Sequence, residues 1–275
     1  MTRRVINLRP GRLGLFALGA MPFFILAVIY ALGSAERLAE NPNDKLLPGL
    51  TAFVDAIQRV AFEPDSRTGQ YLLWSDTAAS LRRLGIGLVV ATGLGLIVGV
   101  ATGLIPYLRA GFSPLVAVAS MVPPMALLPI LFIVFGLGEL SKVVLIVIGI
   151  APCLMRALEL RIAEMPSEQL IKAQTLGMSS WQIVTRVIVP QTLPHLIDGL
   201  RLAIGPAWLF LISAEAIAAE EGLGYRIFLV RRYLAMDVIM PYVAWITLLA
   251  FAMDVGLRKL NQRAFPWLYI GRGEA

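Results

Sequence analysis

A chain of 275 residues that is 58% hydrophobic and only 15% charged, with a mean hydropathy of +0.76, lacks the polar surface of a soluble domain. Lipid is its natural solvent. The net charge of +6 fits basic cytoplasmic loops rather than nucleic-acid binding, the single cysteine excludes an internal disulfide, and one histidine excludes a histidine-based metal centre.

The first apolar run, 13–33, follows Arg3, Arg4, Arg9 and Arg12. "ALGSA" at 31–35 resembles a signal-peptidase site, but the run from Leu13 to Leu32 has the length of a span and reads as a retained first helix. The segment 34–84 reads as an external loop with turns at "NPND" and "EPDSRTG". Between these turns, "LPGLTAFVDAIQRVAF" reads as a short amphipathic helix at the membrane surface. The second run, 85–105, carries Gly87, Ala91, Gly95, Gly99 and Gly103 at every fourth position, which predicts a close-packing helix face.

The third run, 114–135, is interrupted by Met121, Pro123, Pro124 and Met125, and its adjacent prolines predict a kink. The fourth, 140–157, contains Cys153, read as a small buried hydrophobe. The fifth, 196–218, follows His195, read as hydrogen-bonded, and carries Glu215 near its far end. That carboxylate must face protein or water. It is either a pathway group or a helix-end carboxylate paired with an arginine such as Arg226. "GYRIFLVRRYLAMD" at 224–237 reads as a second surface-lying helix. Its Arg226, Arg231 and Arg232 suit either an acidic partner or lipid headgroups. The sixth run is 238–257. With both termini inside, short inner segments hold 14 basic residues and short outer segments hold 4 (Lys142, Arg226, Arg231 and Arg232).

Between the fourth and fifth runs, 159–201 reads as a helical hairpin on the cytoplasmic side. Ser167 is the expected N-cap of its first helix, and Gly177 suits the left-handed position that ends it. Ser179 and Gln182 form a capping box for a second helix, expected to present Trp181, Val184 and Ile188 on one face and to end at Pro190. No G-x-x-x-x-G-K-[ST] occurs, and "GLGELSK" at 136–142 has the wrong spacing, so the chain itself is not expected to bind ATP. No nucleophile–base pair suggests an enzyme.

Ala173, Gly177, Val187, Ile188, Val189 and Pro190 resemble the "EAA" loop of ABC importer permeases. There Glu-Ala-Ala is followed by three residues, Gly, nine residues, Ile, one residue and Leu-Pro. Ile171, Lys172 and Val189 depart from that pattern. "PPMALLPILFIVFGLGELSK" at 123–142, "AEAIAAEEGLGYRI" at 214–227, "LLP" at 46–48, "GLRKLNQR" at 256–263 and "PW" at 266–267 resemble the nitrate/sulfonate/taurine-type permeases. "ENPNDKLLP" and "FLVRRYLAMDVIMPYVAW" are similar to permeases encoded beside urea- or guanidine-metabolising enzymes.

The resemblance implies an all-α membrane protein with about six transmembrane helices in a type I ABC importer arrangement. Its parts would be 1–84, a core at 85–260 containing the coupling loop 159–195, and a tail at 261–275. It implies ATPase docking through Ala173, Gln174, Gly177, Met178, Ser179 and Trp181. Pathway candidates are Met121, Pro123, Pro124, Met125, Trp208, Ser213 and Glu215, and binding-protein contacts are Arg226, Arg231 and Arg232. Expected partners are a second copy in a homodimer, two ATPase subunits that hold ATP and Mg, and an external solute-binding protein, in a bacterial inner membrane. The solute would be a sulfonate, nitrate, taurine or a urea- or guanidine-like compound. The alternative is a stand-alone secondary transporter or a membrane enzyme; the two halves show no convincing internal repeat of the kind many such transporters carry.

Overall fold

The computed structural model describes residues 11–42, 44–66 and 68–269. Arg3, Arg4, Arg9, Arg272 and the end of the expected tail lie outside them, as does the side chain of Arg12. The described residues form eleven α-helices with short 3-10 and π segments: α1 Arg12–Glu40, α2 Leu50–Ala61, α3 Leu72–Leu104, α4 Pro106–Ala119, α5 Leu128–Phe135, α6 Glu139–Ala163, α7 Ser167–Thr175, α8 Ser180–Ile183, α9 Val189–Ala218, α10 Leu223–Arg231 and α11 Met236–Ala264. Five helices are long and apolar enough to cross a membrane, and a sixth crossing arises if α4 and the bent segment Pro124–Phe135 count as one span.

Three boundaries differ from the sequence reading. The second span begins at Leu72 rather than 85, so Asp76, Arg82 and Arg83 lie inside a helix instead of in an external loop. A hydropathy pattern stops at charges; the folded chain pairs them. The third span starts at Pro106, where a missing N–H costs nothing in a helix's first turn, and breaks by 84° after Ala119. Pro123 and Pro124 supply no donors to carry the helix through. The segment resumes as a 3-10 turn at Pro124–Leu127 and ends at Gly136, whose φ is +74°. The helix after the hairpin does not stop at Pro190. A π-turn at Val184–Ile188 runs directly into α9, and Val189 N–H reaches Val184 O.

The core is built on the expected small-residue face. Glycines of α3 let α6 approach so closely that an added Cβ at Gly87 would lie 2.8 Å from Ile146 Cγ2. At Gly95 it would lie 2.8 Å from Leu154 Cβ, and at Gly99 2.9 Å from the carbonyl oxygen of Met155. Ala91 is fully buried in the same stripe. Without a hydrophobic force between helices in lipid, such close van der Waals packing is the main attraction. Gly99→Leu is expected to destabilise the bundle by about 1–3 kcal/mol, since a backbone carbonyl cannot give way. Gly93→Ala, with nothing within 4 Å of its Cβ, is expected to be neutral or stabilising. Thermal unfolding of both variants in detergent checks the pair.

α9 packs on α6, and α10 and α11 pack on α9. α1 stands apart with its apolar surface exposed. It is tied to the following loop by Tyr30 OH donating to Pro48 O at 2.7 Å, Ser34 Oγ donating to Leu47 O at 3.0 Å, and the Arg37–Asp44 ion pair at 2.6 Å. Cys153, expected to be buried, is exposed on α6.

Candidate functional site

The hairpin occupies one end of the bundle. α7 opens on Pro166 with no side-chain cap, one residue before the expected cap Ser167. It closes at Gly177, with φ +77°, where Met178 N–H donates to Ala173 O at 3.1 Å and Gly177 N–H to Gln174 O at 2.9 Å. This reciprocal pattern needs a residue that tolerates the left-handed region. Ser179 and Gln182 form the capping box: Gln182 N–H donates to Ser179 Oγ at 3.3 Å and Ser179 N–H to Gln182 Oε1 at 2.8 Å. Gln191 Nε2 donates to Gln169 Oε1 at 3.3 Å, tying the two limbs together.

The exposed surface of this hairpin is partly apolar. Trp181 is 74% exposed, and Ile171 and Leu176 are also exposed. Gln174, Gly177 and Ser179 are exposed, Met178 is half-buried, and Ala173 is buried beneath them. Ala173 therefore supports the hairpin rather than adding to its surface. Trp181 and Ile188 do not share a face: Ile188 is fully buried, because the π-turn inserts one residue and rotates the helix between them.

The bend in the third span presents Met121, Pro123 and Met125 to the exterior, while Pro124 turns inward. An added Cβ on Gly149 of α6 would meet Phe210 of α9 and lie 3.1 Å from Pro124 Cγ. On α9 the exposed stripe is Leu202, Gly205, Pro206, Leu209 and Ile217, with half-buried Ser213 beside it. Ser213 Oγ donates to Leu209 O at 2.8 Å. Trp208, 3% exposed, faces other helices, and its Nε1 has no acceptor among the described residues.

Glu215 is 0% exposed, and its ionic partner is Arg83 of α3, not Arg226. Arg83 Nη1 donates to Glu215 Oε1 at 2.7 Å and to Glu221 O at 2.8 Å. Its Nε and Nη2 donate to the two oxygens of Glu139 at 2.6 and 2.8 Å. Ser80 Oγ donates to Glu215 at 2.9 Å and accepts Leu223 N–H at 2.9 Å, and Gly224 N–H reaches Glu215 Oε2 at 2.9 Å. A second cluster lies beside it. Asp76 accepts Arg226 Nε at 2.8 Å, Gly222 N–H at 2.9 Å and Tyr242 OH at 3.2 Å. Burial pulls the Arg226 guanidinium down, but the hydrogen bond and charge of Asp76 outweigh it and hold it above the ordinary arginine value. Arg226 is thus taken up inside the chain, whereas Arg231 and Arg232 are exposed.

Together the two clusters bolt α3, α6, α9, α10 and α11 at the end opposite the hairpin. Sequence reasoning missed Asp76, Ser80, Arg83 and Glu139. Their signal was the helical spacing of Asp76, Ser80 and Arg83, which continues the Gly87–Ala91–Gly95 stripe upward on the same face.

The model of the family described as binding-protein-dependent transport system inner membrane component matches residues 91–265. The chain is 40% identical over 199 residues to the taurine transport system permease protein TauC of Escherichia coli, covering 71% of each chain. It is 30% identical over 253 residues to the putative aliphatic sulfonates transport permease protein SsuC of the same organism, covering 90% of this chain and 91% of that one. Among solved structures, it resembles a chain of the MetNI methionine ABC transporter with TM-score 0.63 at 21% identity, over 73% of this chain and 99% of that one.

Proposed function

Since the chain belongs to the family of binding-protein-dependent transport system inner membrane components, we propose that two copies of it enclose the route by which a small sulfonate such as taurine crosses the membrane. The chain is a permease subunit of an ABC importer and not an enzyme, and its family works with ATPase and binding-protein partners. Both termini face the cytoplasm, and so does the hairpin. Two ATPase subunits, holding ATP and Mg, each seat one hairpin. The external binding protein docks at the far end, where Arg231 and Arg232 are exposed. ATP binding closes the ATPases, the hairpins follow, and the spans open outward; hydrolysis returns the route inward.

The observation that carries this reading is the hairpin itself. It is rigidly closed at Gly177 and Ser179, yet offers Trp181 and Leu176 to the exterior at the edge of the bundle. Aromatic residues exposed in that way are typical anchors for a partner's groove. Co-purification from membranes in gentle detergent tests it. An ATPase subunit is expected to accompany the chain, and the double change Leu176→Ala with Trp181→Ala is expected to reduce its recovery about tenfold, the effect of losing roughly 1.4 kcal/mol at an interface. Recovery of no ATPase with the unaltered chain would overturn the reading. Stimulation of the ATPase by a sulfonate-loaded binding protein, against one loaded with an uncharged solute, tests the substrate.

A further inference from the structure

Gly149, Cys153, Arg156 and Leu160 recur at helical spacing on one face of α6. At Gly149 that face is closed by Pro124 of the bend and Phe210 of α9. One turn closer to the hairpin it opens: Cys153, Arg156, Ala157 and Leu160 are all exposed. The broken third span meets α6 away from this face: its second limb touches the helix at Gly149 through Pro124, and its first limb reaches Glu159 through Ser113. The face of Cys153, Arg156 and Leu160 stays exposed, as do Leu202 and Pro206 of α9.

Arg156 lies on that open face with no hydrogen bond or ion pair among the described residues. The carboxylate one turn further along its own helix is already engaged: Glu159 accepts Ser113 Oγ at 2.6 Å and pairs with Arg109 at 3.7 Å. From Lys142 to Arg156 the helix carries no other charge, and Arg156 sits about 25 Å along the axis from Glu139, still within the thickness of the hydrocarbon. By contrast, Arg83, Lys142 and Arg201, which lie on packed faces of the spans, are each paired with a carboxylate. An unpaired cation inside a span needs an anion or water to face.

We propose that Arg156 forms the wall of a water-filled inner vestibule, just past the closure at Gly149, Pro124 and Phe210, and receives the oxyanion end of the transported solute. This rests on the permease reading above and adds to it a specificity residue and a solute chemistry: an anion whose negative oxygens match a guanidinium. A single fixed cation in a cleft raises the local concentration of anions without binding them tightly enough to hold them.

The chain carries its own probe. Cys153, its one cysteine, is exposed on the same face one turn from Arg156. The complete transporter in nanodiscs is treated with membrane-impermeant methanethiosulfonates, one anionic (sulfonatoethyl) and one cationic (trimethylammonioethyl). Modification of this chain is read by mass spectrometry and normalised to a free thiol. The expected result is that Cys153 reacts with both, with the anionic reagent favoured. The anionic-to-cationic ratio is expected to fall about tenfold in Arg156→Gln and to be restored in Arg156→Lys. Uptake of a sulfonate is expected to fall by a similar factor in Arg156→Gln while ATPase activity persists. A Cys153 inert to both reagents would mean that lipid covers this face, and a ratio or uptake unchanged by Arg156→Gln would mean that Arg156 faces headgroups; either overturns the proposal. The thiol readout needs no ATPase, so failure of the permease reading and failure of this one are separately visible.

Discussion

Glu215→Ala is expected to destabilise the folded permease by about 3–5 kcal/mol, the cost of breaking a buried ion pair by removing one partner. The carboxylate is fully buried and receives Arg83, Ser80 and the N–H of Gly224. Removing it leaves a guanidinium, itself 2% exposed, with its one fully buried carboxylate partner gone. It also leaves Gly224 N–H without its acceptor and opens a void where Gly222 approaches: an added Cβ on Gly222 would lie 2.6 Å from the Glu215 carboxyl carbon. The far-end segment 219–224 is then expected to detach from α3. Glu215→Gln, which keeps the shape and two of the acceptor contacts, is expected to lose less. A joint replacement, Glu215→Leu with Arg83→Met, is expected to recover part of the loss, since it removes both buried charges together. Thermal unfolding of the four proteins in one detergent measures the series. An unchanged midpoint for Glu215→Ala would show that the ion pair does not hold the helix ends.

Gly177→Asp is expected to leave the protein folded and abolish solute uptake while ATP hydrolysis continues. At φ +77° any side chain is strained by roughly 1–2 kcal/mol, but aspartate is among the residues that visit this region. Nothing lies within 4 Å of an added Cβ, so the new side chain points outward without a clash. What changes is the exposed hairpin surface, proposed above to dock the ATPase, which gains a negative charge between Leu176 and Trp181. If the hairpin docks as proposed, an ATPase groove that receives its apolar surface must then desolvate a carboxylate with no partner. Gly177→Asn, close in shape and uncharged, separates strain from charge: it is expected to retain much of the uptake. Uptake and ATPase rates in proteoliposomes decide it. Normal uptake by Gly177→Asp would remove the hairpin from the coupling role.

The local devices were legible because they are written in adjacent residues. Gly177 and the Ser179–Gln182 capping box depend on backbone conformation and side chains within one turn. The stripe from Gly87 to Gly103 depends only on helical spacing, and its need for a close neighbour follows from the absence of side chains. The apolar runs reveal spans because only a helix satisfies its own backbone in hydrocarbon. Hydropathy failed where a charge is neutralised by a residue far away in the chain. Arg83 and Glu215 are separated by 132 positions, so a reader of residues 72–84 sees a polar loop where the folded chain has buried helix. The π-turn at Val184–Ile188 was equally invisible, because one inserted residue in a helix has no pattern of its own, and it alone moves Trp181 off the face of Ile188.

By itself, then, the amino-acid order determined a helical membrane protein, the close-packing face of α3 and a capped hairpin between two spans. All of these are set by contacts within a few residues or by the exclusion of water from lipid. Only the tertiary structure decided which charges are satisfied. It paired Glu215 with Arg83 and Arg226 with Asp76, and among the described residues it left Arg156 without an ion pair on an exposed face of α6. Pairing of that kind depends on which distant helices meet, and the Coulomb energy that rewards it is large only after packing has removed the water.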